Sequence, residues 1–229
     1  MKHDTTKRTL NPKSILCAAA LALALASSLP LSAADGGVRY QARPSGSRVE
    51  IQGTSTVHDW TMDGAIIGGW VEFASGVKVD HTQAAIEGLK DGKVPAKAES
   101  RIPVRQIKSH YKMGEVMDGL YEEALKEKQF PNILYVLKEM TPKPNHVPGK
   151  PFELDCKGDL AIAGKTNTVS FPITLERTAM DMIKIKGTAP LKMTAFGITP
   201  PAPNIGLGLM KCGDDVKIVF EWSLVEKKQ

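Results

Sequence analysis

The residues with chemistry to offer sit together in one stretch, Gly53-Thr-Ser-Thr-Val-His-Asp-Trp60. Two threonines, a serine, a histidine, an aspartate and a tryptophan lie within eight positions. Ser55, His58 and Asp59 are the residue types of a nucleophile, a general base and the carboxylate that orients it. That chemistry needs the three side chains to converge on one reacting atom. Read as an extended strand, the stretch sends His58 and Asp59 to opposite faces, and Ser55 away from His58. The other histidines beyond the N-terminal segment, His81, His110 and His146, stand apart in sequence, so a metal site would have to be gathered from distant loops. No G-x-S-x-G nucleophile elbow occurs. On the alternating face, Thr54, Thr56, His58 and Trp60 fall together. They read either as the polar end of an apolar cavity or as an ordinary strand edge with Trp60 packed at a rim.

The segments around this stretch alternate with period two. Ala98, Ser100, Ile102 and Val104 share one face of 96–107, with Lys97, Glu99, Arg101 and Arg105 on the other. Val169, Phe171, Ile173 and Leu175 do the same in 168–176, and Val216, Ile218, Phe220, Trp222 and Leu224 in 216–224. Such strands belong to antiparallel sheets with one face in water. Pro172 cannot donate to a ladder and predicts a bulge or an unpaired position. Further strands are expected near 47–54, 64–73, 131–139, 157–163 and 181–193, with a tight hairpin at 163–165. Residues 199–208, rich in Pro and Gly, form a loop before the last strand.

One segment changes period. From 113 to about 128, Met113, Val116, Met117, Leu120, Tyr121, Ala124 and Leu125 recur at helical spacing, and Pro131 stops the run. This is one amphipathic helix in an otherwise β chain. Its Met-bearing stripe suits a core face better than a ligand contact. Many short sequential strands favour closure into a barrel, which removes free edges. About eight strands leave an interior that side chains fill or that holds one small ligand.

Residues 1–34 read as a secretory leader. Lys2, Lys7, Arg8 and Lys13 precede an apolar run from Ile15 to Leu29, and Ser32 and Ala34 are the small residues of a cleavage site. The run is short for a membrane span. Cleavage would place a single domain, 35–229, in the periplasm or outside the cell. The chain carries a formal charge of +5 from 30 basic and 25 acidic residues; losing the leader's four basic and one acidic residues leaves 26 and 24, or +2. No basic cluster remains, and nucleic acid is not an expected partner. Cys17 leaves with the leader. Cys156 and Cys212 are candidates for a disulfide in an oxidising compartment, or are two unpaired small residues near strand ends.

The same segments carry a family resemblance. Residues 53–64 (GTSTVHDWTMDG), 102–109 (IPVRQIKS), 113–135 (the helix and its Phe-Pro exit) and 192–222 all take part. So does 157–173, with the spacing G-x-L-x-x-x-G-x-T-x-x-V over Gly158, Leu160, Gly164, Thr166 and Val169. In order and spacing they resemble the YceI-like family of secreted lipid- and polyisoprenoid-binding proteins. The resemblance implies a mainly β fold, a single eight-stranded lipocalin-like antiparallel barrel with the helix packed beside or over it. It implies a lipid or isoprenoid inside, no cofactor, no metal and no catalytic residues. The expected ligand-facing set is Thr56, His58, Trp60, Ala98, Ser100, Ile102, Val104, Val169, Phe171, Ile173, Ile218, Phe220 and Trp222. Two other readings stand beside it: a secreted enzyme using His58 and Asp59, and a secreted stress or interaction protein with a barrel packed shut.

Overall fold

The computed structural model describes residues 36–110, 114–202 and 210–228. The leader expected at 1–34, Met113 and most of the Pro/Gly loop lie outside the described residues. Ten strand segments are present among them: β1 (Val38–Ala42), β2 (Arg48–Ser55), β3 (Trp60–Gly64), β4 (Gly68–Phe73), β5 (Ala96–Pro103), β6 (Asn132–Pro142), β7 (Phe152–Ile162), β8 (Lys165–Ala179), β9 (Met182–Lys192) and β10 (Cys212–Glu226). One α-helix, α1 (Gly114–Ala124), accompanies them.

The ten segments make eight staves. β10 pairs with β2 from Val216↔Gly53 to Glu221↔Arg48, then with β1 from Leu224↔Ala42 to Glu226↔Tyr40. β1 and β2 are therefore one stave interrupted at 43–47, where Pro44 has no N–H and Gly46 takes a left-handed φ of 88°. β3 and β4 form a second broken stave, pairing with β2 and β1 respectively. β1 bonds both β4 and β10, and the remaining strands follow in sequence order, all antiparallel. The result is a closed, mainly β, eight-stave antiparallel barrel.

The alternation that predicts the strands is also what closes them around a core. In β7 every second residue from Phe152 to Ile162 is buried, with Leu154 fully enclosed. Val71, Leu175 and Leu224 are likewise inaccessible on three other staves. The β7–β8 hairpin turns in two residues, Ala163 at φ 51° and Gly164 at φ 83°. Two left-handed residues are what a type I′ turn demands to match the strand twist.

Two local expectations need correction, and a third is met in one of its two forms. The strand at 96–107 stops at Pro103, and Val104 opens a 3₁₀ turn over Val104–Gln106. The Val104 N–H bonds the carbonyl of Pro131 at 2.9 Å rather than continuing a ladder. The helix ends at Ala124, well before Pro131, because Lys126 adopts φ 53° and breaks the α conformation. Pro172 stands opposite Asp155 with no bulge, and it is unpaired on its other side: it lies where pairing to β9 ends, and from Lys165 to Pro172 β8 bonds only β7. The gap beside that half of β8 is filled by a 3₁₀ turn, Thr194–Phe196, tied to β8 by the Asn167 amide donating to the Ala195 carbonyl at 2.8 Å. Among the described residues no helix is long and apolar enough to cross a membrane.

Candidate functional site

The barrel interior is not filled. An inner cavity of about 90 Å³ lies between Ala98, Ser100 and Ile102 of β5 and Phe171, Phe220 and Trp222 across the barrel. An outer cavity of about 440 Å³ adjoins it, with Ile133 and Ile218 on the walls of both. The outer cavity is within the range of about 300–1,000 Å³ that small-molecule sites occupy. Its wall is almost wholly apolar. One side is the face of α1, including Met117, Leu120, Tyr121 and Ala124; the opposite side comes from Met193, Phe196 and Ile198, after β9.

The placement of α1 follows from its polar face. The Lys108 ammonium sits 3.0 Å from Glu122 and 3.4 Å from Asp118, and Asp118 also accepts the Ser109 N–H at 2.8 Å. Arg105 reaches Glu127 at 2.7 Å, just past the helix end. These contacts moor the helix to the chain leaving β5 and turn its apolar stripe to the barrel mouth. That stripe, expected as core, lines the cavity. Tyr121 and Leu125 are buried, while Val116 stays 44 % exposed at the rim.

The stretch Gly53–Trp60 is a hairpin, not a strand. β2 ends at Ser55 and β3 begins at Trp60. The Ser55 hydroxyl donates to the His58 carbonyl at 2.7 Å and accepts the His58 N–H at 3.2 Å, holding the turn. The His58 ring nitrogen Nδ1 lies 2.7 Å from the Asp59 carbonyl oxygen. Ser55 therefore bonds the backbone of His58 and not its ring, which is not the relay a nucleophile needs. Trp60 lies across β2 over Gly53, its cross-strand partner, where any Cβ would collide with the indole. Its Nε1–H donates to the Thr54 carbonyl at 3.0 Å. Ser55, His58 and Trp60 reach the outer cavity wall. Thr56 does not: its N–H and hydroxyl oxygen clasp the backbone of Lys211, at 2.9 and 3.1 Å, just before β10.

The strand-borne candidates separate by register. Ala98, Ser100, Ile102, Phe171, Ile173, Ile218, Phe220 and Trp222 all line the inner cavity. Phe171 forms an aromatic group with Tyr135, centroids 5.4 Å apart, and with Phe220, edge-on at 6.0 Å. Val169 is half-buried against the core and Val104 is fully buried in the 3₁₀ turn, but neither borders a cavity. Tyr135, Met193, Phe196 and Ile198 are wall residues that the alternation did not single out.

Cys156 and Cys212 are both free thiols, contrary to the disulfide reading. β7 and β10 are separated in the ring by β8 and β9, and the two side chains face different cavities. Burial, with the Asp155 carboxylate adding to it, pushes the Cys156 thiol up to about 12. Burial raises the Cys212 thiol as well. His146 stacks on Phe152 at 4.0 Å with its Nε2 3.1 Å from the His81 carbonyl, and His110 pairs with Asp63. None of these three borders either of the two cavities. Among the described residues no group of three or more His, Cys, Asp or Glu is placed to hold a metal.

A closed antiparallel barrel with an apolar, helix-capped interior defines a class of binding barrels for small apolar molecules. Residues 40–224 match the model of the YceI-like domain, and the chain belongs to the YceI-like family. Two solved structures share the fold. A polyisoprenoid-binding domain from Saccharophagus degradans, implicated in plant cell wall breakdown, aligns with a TM-score of 0.56 at 11 % identity, over 82 % of this chain and 98 % of that one. BcnA from Burkholderia cenocepacia aligns with a TM-score of 0.54 at 18 % identity, over 77 % and 95 %. No curated protein matches the chain by sequence.

Proposed function

We propose that this protein is an exported binding protein that holds a long-chain apolar amphiphile, a polyisoprenoid or other lipid, inside its barrel. The carrying observation is the pair of adjoining apolar cavities, the outer under the helix and the inner at the aromatic group, with no charged side chain on the inner wall. Burying a hydrocarbon chain there gains about 25 cal/mol for each Å² removed from water. The chain end would lie among Tyr135, Phe171 and Phe220. The polar end would sit at the mouth, where His58 and Lys192 are the basic side chains on the wall. Lys192 is paired with Asp215 at 2.7 Å and the His58 Nδ1 lies 2.7 Å from the Asp59 carbonyl oxygen; His58 is the side chain proposed to meet the headgroup. Polyisoprenoid binding by the Saccharophagus domain of the same fold supports this choice of ligand class. The leader-like residues 1–34 support export, with cleavage after Ala34.

The test is mass spectrometry of organic extracts from protein purified from its native compartment, with N-terminal sequencing of the same sample. A single class of long-chain lipid near one per protein, on chains that begin at Asp35, is expected. Protein that is repeatedly free of lipid and that takes up none from mixed extracts would overturn the reading.

A further inference from the structure

The barrel wall has an unzipped seam. β8 and β9 are bonded from Ala179↔Met182 to Ile173↔Gly187, and there the ladder stops. Beyond it β8 runs from Pro172 back to Lys165 bonded to β7 alone, and β9 runs from Thr188 to Lys192 bonded to β10 alone. A proline stands on each edge, Pro172 on β8 and Pro190 on β9. Neither has an N–H to give to a ladder. The seam is closed by side chains and by the 3₁₀ turn Thr194–Phe196. That turn belongs to the β9–β10 side. The Thr194 N–H and hydroxyl donate to the Asp214 carboxylate at 2.8 and 2.7 Å, and the Met193 N–H donates to the Asp214 carbonyl at 2.9 Å. Its hold on β8 is slight. Among the described residues a single hydrogen bond joins the two, from the Asn167 amide to the Ala195 carbonyl at 2.8 Å. Both cavities lie against this seam. Phe171 and Ala189, which face each other when the register is carried past Gly187, border the inner cavity, and Leu191 and Phe196 border the outer one.

We propose that this seam is the ligand portal: β8 and the Thr194–Phe196 turn part there, with Asn167 as the latch, and the ligand enters sideways. This rests on the amphiphile-holding reading above and adds the route by which the barrel is loaded. The cost of opening decides the place. Parting a bonded pair of staves strips several backbone N–H and C=O groups of their partners at once. Parting β8 from the turn breaks one hydrogen bond and some apolar contacts, but no ladder, and segments with few bonds to lose are the ones that open locally. The helix over the mouth is held more firmly, by the Lys108 and Arg105 ion pairs and the buried Tyr121 side chain. A sideways entrance also lays a long chain against both cavities along its length, so that it need not be threaded end-on from one into the other.

The experiment follows the fluorescent fatty acid 11-(dansylamino)undecanoic acid by stopped flow on the purified protein. Asn167 borders neither cavity. Asn167→Ala should therefore speed association and dissociation alike by about fivefold, the scale of one hydrogen bond, and keep Kd within about twofold of wild type. The opposite change is a reversible staple. Asn167→Cys with Ala195→Cys, in a Cys156→Ala, Cys212→Ala background, is bridged by a short bis-methanethiosulfonate. The staple should slow both rates at least about tenfold, and dithiothreitol should restore them, so each sample is its own control. The same bridge between Lys108→Cys and Glu122→Cys, across the mooring of α1, should leave the rates unchanged. Rates indifferent to the seam staple, or unmoved in Asn167→Ala, would overturn the proposal and leave the lipid-binding reading standing. So would a helix staple that slows exchange as much as the seam staple does. Failure of the probe to bind wild type or any variant would overturn the lipid-binding reading and this one with it.

Discussion

At the scale of single residues, the chemistry suggested by Ser55, His58 and Asp59 is used to build a turn. The hydroxyl that would serve as nucleophile is spent on the His58 backbone, and His58 itself is exposed at the cavity mouth. Replacing His58 with Ala should weaken binding of the native lipid by about 0.5–1.5 kcal/mol, the worth of one exposed-to-half-buried hydrogen bond, with little change in melting temperature. Isothermal titration with the extracted lipid measures it; unchanged affinity would remove His58 from the headgroup site. Cys156 offers a second measurement. Its thiol pKa is raised to about 12 in the folded protein by burial, against about 8.5 in an unfolded chain. Below the unfolded value both states are protonated and the group adds no pH dependence. Between about 9 and 12 the unfolded chain ionises first and holds fewer protons, so stability falls as pH rises. Urea midpoints across that window should decline less steeply in Cys156→Ala, measured against that variant's own neutral-pH midpoint.

At the scale of elements, the register of β8 decides what the barrel can hold. Phe171 points inward between Tyr135 and Phe220, while its neighbours Ser170 and Pro172 are exposed. A shift of one residue would exchange these faces completely. Phe171→Asp should therefore destabilise the protein by about 3 kcal/mol or more, since the carboxylate would meet only apolar and aromatic walls, whereas Ser170→Asp should be tolerated within about 0.5 kcal/mol. Chemical denaturation of the two variants tests the register directly. The helix shows the opposite economy: α1 is short for an independent helix, and its position rests on tertiary contacts, the buried Tyr121 side chain and the Lys108 and Arg105 ion pairs, rather than on intrinsic helicity.

At the scale of the whole molecule, the two cavities adjoin across two shared wall residues. Ile218, buried in the middle of β10, borders both, as does Ile133 from β6. A ligand that spans both compartments must pass Ile218, and Ile218→Trp should block it there. Overpacking there costs about 1–3 kcal/mol of stability. Fatty-acid probes long enough to need both compartments should lose at least about tenfold in affinity, and short ones that stay in the outer cavity should be unaffected. A chain-length series in a fluorescence displacement assay reads this out, and a uniform loss at all lengths would show that the compartments do not act in series.

Much of this molecule was legible in its residues alone. Alternation over 168–176 and 216–224 identifies the strands and their inward faces correctly, because a strand side chain has only two directions and the apolar set must take the buried one. The Ala163-Gly164 hairpin is likewise local, since a two-residue turn is specified by the φ values its residues tolerate. The family segments imply the eight-stave barrel, although sequence patterning did not reveal that two staves are each broken in two. Other features were settled only by the tertiary structure. Whether the helix stripe is core or cavity wall depends on what stands opposite it, and Met193 and Phe196 come from a segment some 70 residues away. Whether Cys156 and Cys212 meet depends on the ring order, which places β8 and β9 between them. Trp60 finds room because Gly53 is its cross-strand partner. That the buried Tyr121 and Tyr135 hydroxyls have no hydrogen-bond partner among the described residues is a property of the assembled interior. Burial, pairing and vacancy are relations between distant parts of the chain, and a pattern read along the chain carries the direction of a side chain but not the identity of what it meets.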